Sequence, residues 1–316
     1  MPGAVAIVAP IGIGFALQYG INPLLMGLMI INGATAGGFS PISVFGSIVN
    51  GVVERNDLAE NELLLFASSF FFNLALSVVV FFLFGGRALL TRRVDPDAEP
   101  QEVHPEQEET TSDTEAYELD RDKILTLIGI VVLVVVAVSF DVDVGFVALS
   151  VAAVLSLISP KSTKGAVGKV AWPMVLLICG IVMYVGLLET IGTIDWVGEQ
   201  VATISAALLA ALLICYFGGV VSAFASTTGI LGALIPLAVP FLETGAVGAV
   251  GMIIALSISS SVVDSSPFST SGALTVANAP EEHRDFVFKR LMQWGMSMVL
   301  IAPPIAWLIF VVPGWL

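Results

Sequence analysis

The sequence predicts an all-α polytopic membrane protein built as an inverted repeat, with a re-entrant hairpin, two discontinuous helices and an incomplete first repeat. Three observations predict it. The 316 residues are 57% hydrophobic and 12% charged, with a mean hydropathy of +0.96, outside the range of soluble globular chains. Apolar runs of span length recur along most of the chain. Finally, the pattern Ser-Pro-x-Ser-x-x-Gly occurs twice inside such runs, at 40–46 and at 266–272.

The apolar runs are 3–19, 23–52, 62–86, 124–140, 144–159, 171–190, 203–242, 248–279 and 288–312. Residues 62–86, 124–140, 144–159, 171–190 and 288–312 read as single spans. Residues 23–52 and 248–279 are broken helices, because each carries Pro and Gly amid hydroxyls at its centre. Residues 203–242 are too long for one span and are interrupted at Ser222–Gly229, which predicts a hairpin.

Charge sets the expected orientation. Twelve of the 26 acidic residues fall between Asp95 and Asp122, so the net charge of -14 marks one loop and not a partner. Residues 91–122 have almost no apolar content and are expected to be a disordered cytoplasmic loop. Eleven of the 12 basic residues flank that loop or lie at 161–169 and 284–290; Arg55 is the other. With these connections inside, 203–242 must start and finish outside, as a re-entrant hairpin or as two full spans; the break favours the hairpin. The broken helices 23–52 and 248–279 then run in opposite directions.

The two Ser-Pro patterns lie 226 residues apart. At that offset Met26 meets Met252, Phe15 meets Phe241 and Pro10 meets Pro236. Paired, inverted, broken segments are the pattern of a secondary transporter with its site between the repeats. Three parts are expected. Residues 1–90 hold the end of the first repeat: a hairpin remnant, broken helix 23–52 and span 62–86. The acidic loop 91–122 follows, and 123–316 form a complete second repeat. The offset would place the first hairpin tip at residues 0–2, so the chain reads as N-terminally truncated.

Unwound backbone frees carbonyls for a hard cation, and half-helix N-termini offer N–H groups to an anion. On this logic the anion-binding candidates are Ser226, Thr227 and Thr228 at the hairpin tip, with Ser40, Pro41, Ser43, Ser266, Pro267 and Ser269 at the breaks. The cation-binding candidates are Thr35, Gly37, Gly38, Asp264, Ser265 and Thr270. Asp264 alone among acidic residues lies well inside an apolar run, where insertion costs roughly 2.5–3.5 kcal/mol. Its counterpart is Gly38. No Lys or Arg lies at that depth, so helix ends, hydroxyls and a bound cation would neutralise an anion.

Intramembrane proteolysis would need two facing carboxylates or a Ser–His pair. Only Asp264 is available, and His104 and His283 sit in polar connections. Cys179 and Cys215 lack metal-ligand spacing and read as small buried hydrophobes. No enzyme, cofactor or nucleic-acid partner is expected, beyond Na⁺ or H⁺ as a coupling ion. A non-transporting partial carrier is the alternative reading.

The stretches "GINPLLMGLMIINGATAGGFSPISVFG", "WPMVLLICGIVMYVGLL", "SAFASTTGILGALIPL" and "SISSSVVDSSPFSTSGAL" resemble the divalent anion/sodium symporter family, of the wider ion-transporter superfamily. The malonate/dicarboxylate-carrier branch is the most similar. The resemblance implies a multi-pass carrier of malonate- or succinate-like di- or tricarboxylates in the cell (inner or plasma) membrane. A homodimer moving as an elevator is implied with it; a cation/proton antiporter of the same superfamily is the second option. Family hairpins carry Ser-Asn-Thr tips, which Ser226, Thr227 and Thr228 match by position. Residues 37–43 and 264–270 match the two unwound loops. The tip here lacks the Asn, and an Asp occupies the second loop.

Overall fold

The computed structural model describes residues 2–56, 58, 59, 61–91, 121–140, 144–160, 164, 165, 168, 172–193, 196, 207–224 and 227–314. All regular structure among them is helical. Contacts divide the chain into two units, 1–103 with 177–316, and 104–176. Ser226, most of the acidic loop (92–120) and residues 203–206 lie outside the described residues.

In the smaller unit, α6 (Arg121–Phe140) packs on α7 (Val144–Ile158). Gly129 lets the helices close up: a Cβ there would come within 2.9 Å of a Val151 methyl. Both match predicted spans, although α6 already starts at Arg121, inside the expected loop. Helix α8 (Trp172–Thr190) crosses the unit boundary.

The larger unit opens with α1 (Pro2–Gln18), α2 (Pro23–Ala36), α3 (Val44–Arg55), α4 (Glu62–Leu83) and the short α5 (Gly86–Thr91). After α8 come α9 (Ala207–Phe224) and α10 (Thr227–Glu243). Next are α11 (Ala249–Val262), a 3₁₀ turn at Val263–Ser265, α12 (Thr270–Ala277) and α13 (Glu281–Phe310). The expected breaks are present: α2 and α3 are separated at 37–43, and α11 and α12 at 263–269. Helix α2 starts on Pro23, which needs no donor there, and the Asn22 side chain accepts the Leu24 N–H at 3.0 Å.

The offset of 226 holds at the level of whole elements. Shifted by it, α2 falls on α11 end for end, α1 on α10 within one residue, and α4 within α13. Packing obeys the same exchange. Helix α2 packs on α4, as α11 packs on α13; α1 packs on α12, as α10 packs on α3. Helices α1 and α10 thus each lie against the second half-helix of the other repeat, so the two copies interlock.

Helix α13 runs one to two turns further N-terminal than the apolar run at 288–312. Its extra residues Glu281 and Glu282 suit the positive end of the helix dipole. At 30 residues it is about 45 Å long, more than a hydrocarbon core of about 30 Å. Helices α9 and α10, at 18 and 17 residues, are about 27 and 26 Å. The connection between them is two residues, and they touch each other.

Four stretches among the described residues are long and apolar enough to cross a membrane: α4, α9, 249–277 and α13. They differ in what surrounds them. The apolar window of α4 is 22% buried by protein, whereas that of 249–277 is 89% buried. The second broken helix is therefore the centre of the unit, with α4 on its periphery. Lipid gives no hydrophobic drive for helices to associate, so close approach must supply the attraction. Gly218 and Gly219 of α9 supply it, lying against Leu256, Ser259 and Ser260 of α11.

Gly27 makes a comparable contact, since a Cβ there would meet the Thr275 methyl at 2.4 Å. Gly27→Ala is expected to cost about 1–3 kcal/mol by overpacking. Thr275→Ser, which removes that methyl, should restore most of the loss in a detergent melting experiment.

Candidate functional site

The two Ser-Pro patterns share the same main ties. Ser43 opens α3 and Ser269 opens α12, both with extended backbone (φ -95°, ψ 161° and φ -83°, ψ 166°). Neither hydroxyl caps its own helix. Instead, Ser43 Oγ is directed at the carbonyls of Gly38 and Ser40, the latter at 2.7 Å. Ser269 Oγ is directed at those of Asp264 and Ser266, at 2.5 and 2.6 Å. The Ser43 and Ser269 N–H groups donate to the Ser40 and Ser266 carbonyls, at 2.8 and 3.0 Å.

The closing glycine explains the end of the pattern. A Cβ on Gly46 would sit 2.0 Å from the Ser40 carbonyl oxygen, and one on Gly272 would sit 1.9 Å from that of Ser266. Only a residue without a side chain lets the loop fold back onto the helix start. Ser-Pro-x-Ser-x-x-Gly is thus a compact break in which the second Ser ties the loop and the Gly makes room.

The loops differ in what fills them. In the first, Phe39 and Phe45 are fully buried with ring centroids 5.4 Å apart. In the second, the same positions are Ser265 and Ser271, and Ser271 Oγ donates to the Asp264 carboxylate at 2.6 Å. Asp264 is 2% exposed and spans the break from the 3₁₀ turn to the first turn of α12, where a negative charge suits the helix dipole. At Gly38 space is tight for such a group, since a Cβ there would lie 3.1 Å from the Thr35 carbonyl oxygen and 3.3 Å from the Phe45 ring.

Burial follows the same asymmetry. Asp264, Ser265, Ser266, Pro267 and Ser269 are buried, with Phe268 and Thr270 exposed. Gly295 of α13 closes over Ser266, its would-be Cβ 2.9 Å from the Ser266 Cα. In the first break Gly37 and Pro41 are exposed, Ser40 and Ser43 half-buried, and Gly38 buried. Thr35 is buried and donates to the Ile31 carbonyl at 2.8 Å, within its own helix. Ser265 likewise donates to the Val262 carbonyl at 3.1 Å.

The hairpin meets the second break directly. Ser222 Oγ donates to the Ser260 carbonyl of α11 at 2.6 Å, which leaves Thr227 to donate to Ser222 at 2.8 Å. Thr227 and Thr228 are both buried. Phe224 stacks on Phe268 of the break, with centroids 5.7 Å apart. The first break reaches the site through its flanking helices: α2 packs on the 263–265 turn and α3 packs on α10.

Several of these residues were not singled out in the sequence. Ser222, which marks the start of the interruption, and Ser271 are not among the candidate ligand residues; the signal that could have found them is the hydroxyl run at each break. Ser257 and Ser260 on α11 and Asn32 on α2 keep buried side-chain atoms without a hydrogen-bond partner among the described residues. Ser222→Ala should loosen the start of α10, raising backbone hydrogen exchange at 227–230 several-fold for a bond worth about 1 kcal/mol. Unchanged exchange would remove Ser222 from that role.

A family model described as citrate transporter (CitMHS) matches residues 1–215, two thirds of the chain. The chain belongs to the citrate transporter family. No curated protein and no solved structure matches it. The citrate transporter match spans the first break and the first half of α9, and stops before the hairpin tip and second break. Those residues lie outside the match; the second Ser-Pro loop shares the main ties of the first. The match is to citrate transporters as a family, and a malonate-carrier branch is finer than it resolves.

Proposed function

We propose that this protein is a secondary active transporter of small di- and tricarboxylates, citrate first among them, coupled to Na⁺ or H⁺. The observation that carries the reading is the pair of equivalent Ser-Pro breaks, the second with the hairpin tip seated on it, in a citrate transporter family member. Two half-helix N-termini, α3 and α12, begin at these breaks, and such termini present N–H groups and a positive dipole end to a carboxylate. The orphaned polar atoms of Asn32, Ser257 and Ser260 leave unmet hydrogen-bonding capacity on the two broken helices.

The tip residues Ser226, Thr227 and Thr228 and the loop residues at 40–43 and 266–269 are proposed to face the anion. Thr35, Gly37, Gly38, Asp264, Ser265 and Thr270 are proposed to serve the cation. Within that set the second break carries the only carboxylate, so it is the better seat for a positive charge. The acidic loop is proposed to be cytoplasmic on the distribution of Lys and Arg, and the carrier dimeric, as the family resemblance implies.

The test is uptake of radiolabelled citrate, malonate and succinate into proteoliposomes under an imposed Na⁺ or H⁺ gradient. Accumulation of one of these acids only when a gradient is present supports the proposal. Failure to accumulate any of them in properly reconstituted protein would overturn it.

A further inference from the structure

Helix α13 carries Pro303 and Pro304 in succession. A proline has no N–H, so Pro304 leaves the Leu300 carbonyl without its intrahelical donor. At membrane depth lipid offers no replacement, and a neighbouring helix must supply one. Here it does: Tyr216 Oη, from the middle of α9, donates to the Leu300 carbonyl at 3.0 Å. Leu300 is 67% exposed, so without Tyr216 that part of the helix would face hydrocarbon.

A second rung runs the other way, to a carbonyl that no proline frees. Trp307 Nε1 donates to the Leu208 carbonyl at 2.8 Å. Leu208 pairs with Trp307 and Tyr216 with Leu300, so α9 and α13 run antiparallel and are clasped over two turns. Gly219 lies between the rungs and the tip, with room for the Pro303 ring at 3.4 Å from its would-be Cβ. Two turns beyond Tyr216 along α9 is Phe224, which stacks on Phe268 in the second break.

We propose that Pro304 and Tyr216 are a matched pair. The proline frees a carbonyl as a docking point for the hairpin's first arm, and Tyr216 is the positioning residue that thereby sets the tip over the second break. The consequence is a division of labour in the hairpin. Arm α9 is held by α13 and α11, while α10 packs on α3 of the other repeat as well as on α11, so the clasp to α13 belongs to the first arm. The value of a fixed tip rests on the transport reading above; the clasp does not.

The test is a double-mutant cycle on the full chain: Tyr216→Phe, Pro304→Ala and both together. Tyr216→Phe deletes one hydroxyl, and Pro304→Ala returns an N–H to the same carbonyl. Melting in detergent is expected to fall by roughly 2–4 °C in Tyr216→Phe and to recover in the double variant. Tip position is read separately, by oxidative cross-linking of Phe224→Cys with Phe268→Cys after Cys179→Ala and Cys215→Ala. The cross-link yield should drop severalfold with Tyr216→Phe and return with Pro304→Ala added. Losses that add in the double variant would overturn the pairing, and a yield that Tyr216→Phe leaves unchanged would overturn the positioning role. Should Tyr216→Phe fail to accumulate in membranes, the same cycle is read on accumulation: rescue by Pro304→Ala supports the pair and no rescue rejects it. Absent citrate uptake in the parent protein counts against transport alone.

Discussion

Gly46→Ala and Gly272→Ala should each abolish the folded protein or its uptake, and to a similar degree. The added methyl has nowhere to go. It would stand 2.0 or 1.9 Å from a backbone carbonyl oxygen, where no flexible side chain can yield. To relieve the clash, the loop must leave the start of α3 or α12, which also breaks the Ser43 or Ser269 ties. That places both changes among the rare substitutions costing more than about 4 kcal/mol. Membrane accumulation and monodispersity in detergent would read the fold, and citrate uptake the function. Near-normal behaviour of either variant would refute the compact-break account. A large difference between the two would refute the equivalence of the copies.

Asp264→Asn should leave the fold nearly intact and change transport profoundly. The Asn Oδ1 can still accept from Ser271, so the strap across the break survives while the charge is lost. Uptake is expected to fall on the order of 100-fold, about 2.7 kcal/mol, or to change its cation dependence. Asp264→Ala is the contrasting variant. It leaves the Ser271 hydroxyl unpaired in a buried place and should cost about 1–3 kcal/mol of stability as well. Wild-type uptake with unchanged cation dependence in Asp264→Asn would exclude any role for the charge. Because Gly38 occupies the equivalent place, a Gly38→Asp variant tests the converse: it crowds Phe45 and the Thr35 carbonyl, and is expected to destabilise without creating a second cation seat.

Much of this architecture was legible because membrane insertion imposes simple rules on sequence. Apolar length marks the spans, and a proline within one marks a break, since its missing N–H cannot be replaced by lipid. The offset read from Ser40-Pro41 and Ser266-Pro267 holds for whole helices, down to the ends of α2 and α11. The helix ends were less legible. Charged residues at 281–290 look like a connection, yet they continue α13, because a helix leaving the membrane needs polar side chains and no change of backbone.

The chemistry within the breaks was legible only in part. Ser43 and Ser269 are candidate ligand groups in sequence; that their hydroxyls also donate to carbonyls of their own loops needed the fold. A hydroxyl's partner depends on where the loop folds back, which no local pattern states. Asp264 stood out by cost alone; that it straps α12 through Ser271, seven residues on, needed the fold.

By itself, then, the sequence determined the class, the repeat and the positions of the breaks, because lipid penalises every exposed polar backbone group and so makes departures from apolar helix visible. Tertiary structure decided which break is buried and which is open, which arm of the hairpin is held, and that Tyr216 answers Pro304 from 88 residues away. Those are matters of which surfaces meet. In a bilayer, meeting is governed by close packing and by pairing of particular donors and acceptors, and neither leaves a periodic signal along the chain.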